Sequence, residues 1–204
     1  MHSPLIAMDR QYLWRPYTST EDHQQKDPLV ISDAEGVWLI DATGKRYLDG
    51  NGSWWTNTLG HGHPRLRRVL KNQADSLIHC AFAGITHHHA VHLAKELLEV
   101  APPGMSRVFF SDNGSTAVEV AVKMAFQYWQ QNGQPERRLF LALSDAFHGD
   151  TLGSTSLGGV PIFRKIFGPL LFDVIHVPIP TDDTDFTHII DVIQQELNAH
   201  STHI

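Results

Sequence analysis

Residues 107–119, RVFFSDNGSTAVE, contain the sharpest change of pattern in the chain. A short apolar run at 108–110 meets a cluster of small polar residues, and helix-forming sequence follows at once. This order predicts a strand, a tight turn and the first turn of a helix. Because the free N–H groups and the positive dipole end of a helix N-terminus attract anions, we expect the backbone at Gly114 and Ser115 to bind a phosphate.

Two interpretations of this turn are open on the residues alone. Gly114 lets the backbone approach a ligand closely, while Ser115 and Thr116 add hydroxyl donors. Alternatively, Ser115 only caps its helix, as serine does at many helix starts. The segment matches neither GxGxxG nor GxxxxGKS/T, so the common nucleotide-binding templates do not decide between the two.

Downstream of residue 104 the sequence alternates between strand and helix periods. Strands are predicted at 108–110, 139–143 and 174–177, and helices at 115–131 and 186–197. In the first of these helices, Glu119 and Lys123 are predicted to form an i,i+4 pair on the outer side. Strands that alternate with helices indicate an α/β fold with a mainly parallel sheet.

The upstream part has a different organisation. Residues 1–27 are polar and are interpreted as an irregular arm, and residues 29–48 as an antiparallel meander of short strands and tight turns. Helices are predicted from Pro64 to about residue 79 and from about Thr86 to the stop at Pro102. We therefore predict an arm and small meander at 1–60 and the front part of a larger α/β domain at 61–204.

The composition of the chain argues against several classes of function. The chain has 204 residues, of which 42% are hydrophobic, and a formal net charge of -6, so it offers no basic surface for nucleic acid. The single cysteine, Cys80, excludes an internal disulfide. No apolar run has membrane-spanning length, and the N-terminus lacks the pattern of a signal peptide. The sequence predicts a cytoplasmic protein that binds neither nucleic acid nor a membrane.

Histidine is abundant, with 14 in the chain and a cluster at 87–89 followed by His92. His88 and His92 would share one helix face at i,i+4, a spacing that can hold a metal. The chain has no HExxH pattern and no cysteine beside the cluster. Surface histidines near a helix start are the favoured interpretation, and no metal site is predicted.

The chain contains six motifs in this order: WRPYT (14–18), DGNGSWW (49–55), GHGHP (60–64), GITH (84–87), DNGSTAVE (112–119) and FHGDT (147–151). Together they resemble the motifs of class III aminotransferases, which depend on pyridoxal phosphate. The resemblance implies the fold of type I pyridoxal-phosphate-dependent transferases. It further implies that this chain holds an N-terminal small-domain segment and an incomplete, mainly parallel sheet of the large domain. Pyridoxal 5'-phosphate as cofactor, small-molecule substrates and a homodimer are implied as well.

The resemblance also assigns roles to particular residues. Gly114 and Ser115 match the phosphate-binding turn of the family, and Phe147 matches the aromatic residue that stacks on the cofactor ring. Trp54 matches a tryptophan that contacts substrate, and Tyr17 matches a tyrosine of the N-terminal arm that shapes the substrate pocket. If the backbone there is extended, Trp54 and Trp55 point to opposite sides, and only one of them faces the ligand.

Two departures from the family pattern concern catalysis and specificity. The family needs a lysine that holds the cofactor covalently, and no lysine here has the matching context: Lys26, Lys45, Lys71, Lys95, Lys123 and Lys165. No catalytic residue is therefore predicted, and the chain is interpreted as the front part of such an enzyme, with apolar surface left uncovered. Phe147 stands where the nearest branch has tyrosine, which removes a hydroxyl that could bond substrate.

Three functional hypotheses follow from this resemblance. The branch that serves biotin synthesis is favoured by the two tryptophans of DGNGSWW and by the WRPYT arm. It implies transfer of an amino group from S-adenosylmethionine to 8-amino-7-oxononanoate, giving 7,8-diaminononanoate. The second hypothesis is another omega-aminotransferase with the same cofactor. The third is a noncatalytic remnant that binds phosphate or a partner chain, which the missing lysine supports.

Overall fold

The computed structural model describes residues 4–180 and 186–204 of the chain. The chain divides into two compact units, Met1–His88 and His89–Ile204. The predicted division into an arm with a small meander at 1–60 and the front part of a larger domain at 61–204 stays a prediction.

The first unit contains a three-stranded antiparallel meander, as the sequence predicts. β1 pairs with β2 and β2 pairs with β3, in the order β1-β2-β3. The elements of this unit are α1 (Pro4–Tyr12), α2 (Thr20–Gln25), β1 (Ile31–Glu35), β2 (Trp38–Asp41), β3 (Arg46–Leu48), the short turn α3 (Gly52–Trp55) and α4 (Pro64–Ala74). Helix α4 ends at Ala74 rather than near residue 79.

The arm is helical in part, so the prediction of an irregular segment at 1–27 is wrong for α1 and α2; its residues 1–3 lie outside the described range. Ser19 caps α2, because its side chain accepts the N–H of Asp22 at 3.0 Å. Asp9 of α1 bonds to Arg15 and to His23, at 3.0 Å from the His23 Nε2. These side-chain contacts stabilise the helices of the arm, which its polar composition did not predict.

The β2–β3 turn is organised by the carboxylate of Asp41. Its Oδ1 accepts the N–H of Thr43 at 2.8 Å, the Thr43 hydroxyl at 2.6 Å and the N–H of Lys45 at 3.0 Å. Its Oδ2 accepts the hydroxyl of Tyr47 at 3.0 Å. The Thr43 hydroxyl and these further donors, opposed by burial, lower the pKa of Asp41 from 3.8 to about 2.

A pH dependence of stability follows for Asp41→Asn. The folded-state pKa is depressed, so the stabilisation by the carboxylate is complete above 3.8 and is lost as the pH falls toward 2. We expect the variant to be less stable than wild type near neutral pH and the difference to narrow steadily below about pH 4. Urea unfolding across that range measures it. A difference that is independent of pH would contradict this assignment.

The second unit contains a parallel strand pair covered by helices. β4 and β5 pair in parallel from Phe140↔Val174 to Leu143↔Val177, which agrees with an incomplete, mainly parallel sheet. Its elements are α5 (His88–Val100), α6 (Gly114–Gln131), β4 (Phe140–Leu143), α7 (Leu152–Leu157), α8 (Pro161–Arg164), a 3-10 turn (Gly168–Leu170), β5 (Val174–Val177) and α9 (Phe186–Ala199). Val177 of β5 and Ile189 of α9 are buried.

The predicted strand at 108–110 is not formed, and 105–111 carry no regular element. A strand exists only with a neighbour that shares its hydrogen bonds, and within the described ranges only β4 and β5 pair in this unit. Apolar side chains are widely exposed, including Val100 and Ile166 at 82%. None of the described helices combines the length and apolar character that a membrane crossing requires.

Candidate functional site

Helix α6 starts with a side-chain cap that Asn113 provides. The Asn113 side chain accepts the N–H of Thr116 at 3.0 Å, and the Asn113 N–H bonds to the Thr116 hydroxyl at 3.2 Å. This reciprocal pair is a capping box. Ser115 lies inside the helix and is not the cap, so the alternative role suggested for it by the sequence is wrong.

Gly114 and Ser115 supply the first two amides of α6. Among the described residues neither amide donates to another group, as expected for the first turn of a helix. The space beside Gly114 is open, because a Cβ there would meet no atom within 4 Å. Two unpaired N–H groups therefore lie at the positive end of an 18-residue helix, where an anion is attracted.

The loop that carries Phe147 lies against Ser115. Gly149 has a φ of 127°, and a Cβ at this position would lie 2.0 Å from the Ser115 Oγ. Ser154 of α7 donates its hydroxyl to the carbonyl oxygen of Ser115 at 3.0 Å. The structure thus brings the Gly114–Ser115 turn and the Phe147 loop together.

Phe147 is 55% exposed, and its ring centroid lies 5.6 Å from that of Phe163 in an edge contact. An aromatic ring that is packed on one neighbour and otherwise accessible can stack on a flat ligand. Its role in stacking stays a prediction.

Two carboxylates lie near the start of α6. Asp112 accepts the Thr116 hydroxyl at 2.5 Å, and this bond is the main cause of its lowered pKa. Glu119 lies one turn after Ser115, and its carboxylate bonds to α7, so the predicted position on the outer side is wrong. The Thr151 hydroxyl is the main cause of the lowered pKa of Glu119, and the charge of Lys123 contributes, so the predicted i,i+4 interaction is present. The i,i+4 spacing from Ser115 places Glu119 on the same helix face as Ser115, and the sequence alone gives this spacing.

Tyr17 and Trp54 come together in the first unit. Their ring centroids are 5.2 Å apart with an interplanar angle of 79°, an edge-to-face contact. Both rings are largely exposed, Tyr17 at 70% and Trp54 at 59%. The two residues predicted to contact substrate therefore form one aromatic corner, although their role in binding stays a prediction.

The backbone that carries Trp54 is a left-handed turn and not an extended segment. The φ angles are 59° at Gly52, 49° at Ser53, 59° at Trp54 and 68° at Trp55. The expectation that Trp54 and Trp55 point to opposite sides of an extended chain does not apply here. Left-handed geometry costs a residue other than glycine about 1–2 kcal/mol, so surrounding contacts must hold it.

Asp49 provides the principal contacts that hold this turn. Its carboxylate accepts the Ser53 N–H at 2.9 Å, the Ser53 hydroxyl at 2.8 Å and a bond with the His61 Nε2 at 2.8 Å. The Ser53 N–H is the main cause of the lowered pKa of Asp49. Asn51 adds a bond from the Trp54 N–H at 3.3 Å.

We expect Asp49→Asn to disorder the left-handed turn, because it removes the charge that Ser53 and His61 share. The edge contact between Tyr17 and Trp54 then weakens, which near-ultraviolet circular dichroism and tryptophan fluorescence report. Asp33→Asn, which changes an exposed carboxylate on β1, is the matched control. An unchanged aromatic signal in Asp49→Asn, or an equal change in the control, would contradict the role of Asp49.

Within residues 4–180 and 186–204 no group of three or more histidine, cysteine or acidic side chains lies close enough to hold a metal ion. The chain contains 14 histidines, of which His88 and His92 lie on α5. The structure gives no ligand set for a metal at that helix among these residues.

Comparisons of the sequence with a family profile and with known proteins agree on one family. The sequence profile described as aminotransferase class-III matches residues 19–203. The adenosylmethionine-8-amino-7-oxononanoate aminotransferase of Geobacter sulfurreducens is 50% identical over 172 residues, which is 84% of this chain and 38% of that protein. The protein of the same name from Nitratidesulfovibrio vulgaris is 45% identical over 178 residues, 86% of this chain and 33% of that protein.

Solved structures agree with the sequence comparison. The crystal structure of adenosylmethionine-8-amino-7-oxononanoate aminotransferase from Methanocaldococcus jannaschii matches with a TM-score of 0.90 and 34% identity, covering 98% of this chain and 45% of that one. The omega transaminase from Pseudomonas jessenii in complex with PMP matches with a TM-score of 0.87 and 31% identity, covering 97% and 46%. The chain thus spans less than half the length of these relatives.

Proposed function

The chain belongs to the class III aminotransferases, and we propose that it forms the phosphate-binding and substrate-facing part of an enzyme of biotin synthesis. The reaction would transfer an amino group from S-adenosylmethionine to 8-amino-7-oxononanoate and give 7,8-diaminononanoate. The relatives that carry this activity in their names support the proposal.

Pyridoxal 5'-phosphate is the proposed cofactor, and the residues of the second unit fit it. When bound, it supplies an electron-withdrawing ring for bond changes at the amino carbon. Gly114 and Ser115 would hold its phosphate through their amides, and Phe147 would stack on its ring. The observation that carries the proposal is the pair of unpaired amides beside open space at the start of α6.

Tyr17 and Trp54 are proposed to contact the substrates. Their exposed rings offer π faces that attract a cation, and the amino donor carries a positively charged sulfonium. The charge of the donor therefore favours an aromatic corner over an aliphatic wall.

Another omega-aminotransferase is the second candidate. Two observations favour it: Phe147 lacks the hydroxyl of the usual tyrosine, and the Pseudomonas jessenii omega transaminase matches nearly as well in structure. Both candidates keep the cofactor and differ in the amino donor. For either we propose a cytoplasmic homodimer in which 1–60 contribute the arm and meander and 61–204 the front of the large domain.

The test of cofactor binding uses pyridoxamine 5'-phosphate, the amine form, which does not react with surface lysines. Isothermal titration of the chain is expected to give saturable binding that is far weaker for pyridoxamine without the phosphate. Equal binding of the two compounds would refute the phosphate site. If neither pyridoxamine 5'-phosphate nor pyridoxamine binds, the result would favour the hypothesis of a noncatalytic remnant.

The test of the amino donor uses this chain joined to the remaining segment of the Geobacter sulfurreducens relative. We expect S-adenosylmethionine to support formation of 7,8-diaminononanoate. Activity with a simple omega-amine but none with S-adenosylmethionine would favour the second candidate.

A further inference from the structure

Glu119 joins two segments that the proposed cofactor site needs in fixed positions. Its Oε1 accepts the Thr151 hydroxyl at 2.5 Å, the Gly153 N–H at 2.7 Å and the Ser154 N–H at 3.2 Å. The fit is close, since a Cβ on Gly153 would lie 2.3 Å from the Glu119 Oε2. The carboxylate therefore caps α7 from another helix.

The cap is unusual because α7 has its own N-cap residue. Thr151 occupies that position, yet its side chain makes no capping bond to the α7 backbone and donates to Glu119 instead. A threonine can cap a helix by itself, but here the Glu119 carboxylate accepts the α7 amides of Gly153 and Ser154 and so serves as the cap. What Glu119 adds is a link between the helices.

That link lies directly behind the Gly114–Ser115 turn. Ser154 is fully buried and bonds to the carbonyl oxygen of Ser115 at 3.0 Å. Gly149 packs on the Ser115 side chain, two residues from Phe147. The start of α6 and the Phe147 loop are consequently held together by Glu119 on one side and by Ser115 on the other.

A carboxylate one turn from a phosphate site carries an electrostatic cost, because like charges repel. Three donors at the start of α7 offset that cost by satisfying the carboxylate with hydrogen bonds and a favourable helix dipole. The negative charge of Glu119 is therefore explained by its hydrogen bonds to α7, which hold the two helices in position, and not by an attraction to phosphate.

We propose that Glu119 is a positioning residue of the cofactor site, which fixes the distance between the phosphate-binding turn and the Phe147 ring. This proposal rests on the proposed function, because the ligand must engage both the amides and the ring. Glu119 does not touch the ligand.

Glu119→Gln keeps the shape of the side chain and removes its charge, and Glu96→Gln, which changes an exposed carboxylate on α5, is the matched control. The probes are pyridoxamine 5'-phosphate and inorganic phosphate, titrated separately into the full chain. We expect Glu119→Gln to weaken the first about tenfold or more and to change the second less than about twofold. A residue that only supports folding would weaken both ligands together.

Gly153→Ala tests the same contact from the α7 side, because the added Cβ displaces the Glu119 carboxylate. It is expected to reproduce the selective loss, with urea unfolding used to follow folding of each variant. Unchanged pyridoxamine 5'-phosphate binding in Glu119→Gln, or equal loss of both ligands, would overturn the role of Glu119 alone. Absence of binding by the wild-type chain would instead overturn the proposed function.

Discussion

Gly149→Ala is expected to weaken binding of pyridoxamine 5'-phosphate by about a hundredfold, because a misplacement of about 1 Å in a binding site can cost that much. The new Cβ would lie 2.0 Å from the Ser115 Oγ, and the φ of 127° is unfavourable for any residue with a Cβ. Ser115 and the Phe147 loop must then move apart, which changes the distance between the start of α6 and the Phe147 ring. Isothermal titration measures the loss.

Gly104→Ala provides the control for backbone strain. Gly104 has a φ of 97°, and a Cβ there would meet no atom within 4 Å. The control therefore adds a methyl group in a left-handed conformation without a collision near Ser115. Comparable loss of binding in Gly104→Ala, or full binding by Gly149→Ala, would show that the Gly149–Ser115 contact does not matter.

Ser115→Asp is expected to separate helix stability from phosphate binding. A carboxylate in the first turn interacts favourably with the helix dipole, while repulsion from Glu119 one turn on and the packing of Gly149 oppose this gain, so the free energy of unfolding should change little. The same charge repels a phosphate at the Gly114 and Ser115 amides, and we expect binding of pyridoxamine 5'-phosphate to fall by about a hundredfold or more. Urea unfolding and isothermal titration measure the two effects.

Ser115→Asn controls for the size of the new side chain in this experiment. Asparagine has nearly the volume of aspartate and lacks its charge, so its loss of binding should be much smaller. Equal losses in the two variants would assign the effect to crowding against Gly149 rather than to charge. Retained binding in Ser115→Asp would place the phosphate elsewhere.

The sequence predicted the elements whose signals are local. The helix at 115–131 and the strands at 139–143 and 174–177 each lie within one residue of the observed α6, β4 and β5. Apolar spacing and turn residues specify such elements without reference to the rest of the chain. The strand at 108–110 failed because pairing depends on a neighbour, which is not a local property.

The sequence predicted candidate residues for the site but not the contacts that hold them in position. Gly114 and Ser115 follow from the change of pattern at the start of α6, while Tyr17 and Trp54 follow from the family motifs. Gly149 and Glu119 act through contacts with residues distant in sequence, such as the bond between Glu119 and Gly153. The left-handed turn at Trp54 also went unpredicted, because its geometry depends on specific side-chain bonds from Asp49 that no periodicity of the sequence reveals.

Proton–nitrogen NMR tests most directly the proposal that the amides of Gly114 and Ser115 hold the phosphate of the cofactor. Titration with pyridoxamine 5'-phosphate or inorganic phosphate is predicted to shift those two amide signals most, while pyridoxamine leaves them nearly unchanged. Shifts centred on other residues, or equal shifts with pyridoxamine, would contradict the claim.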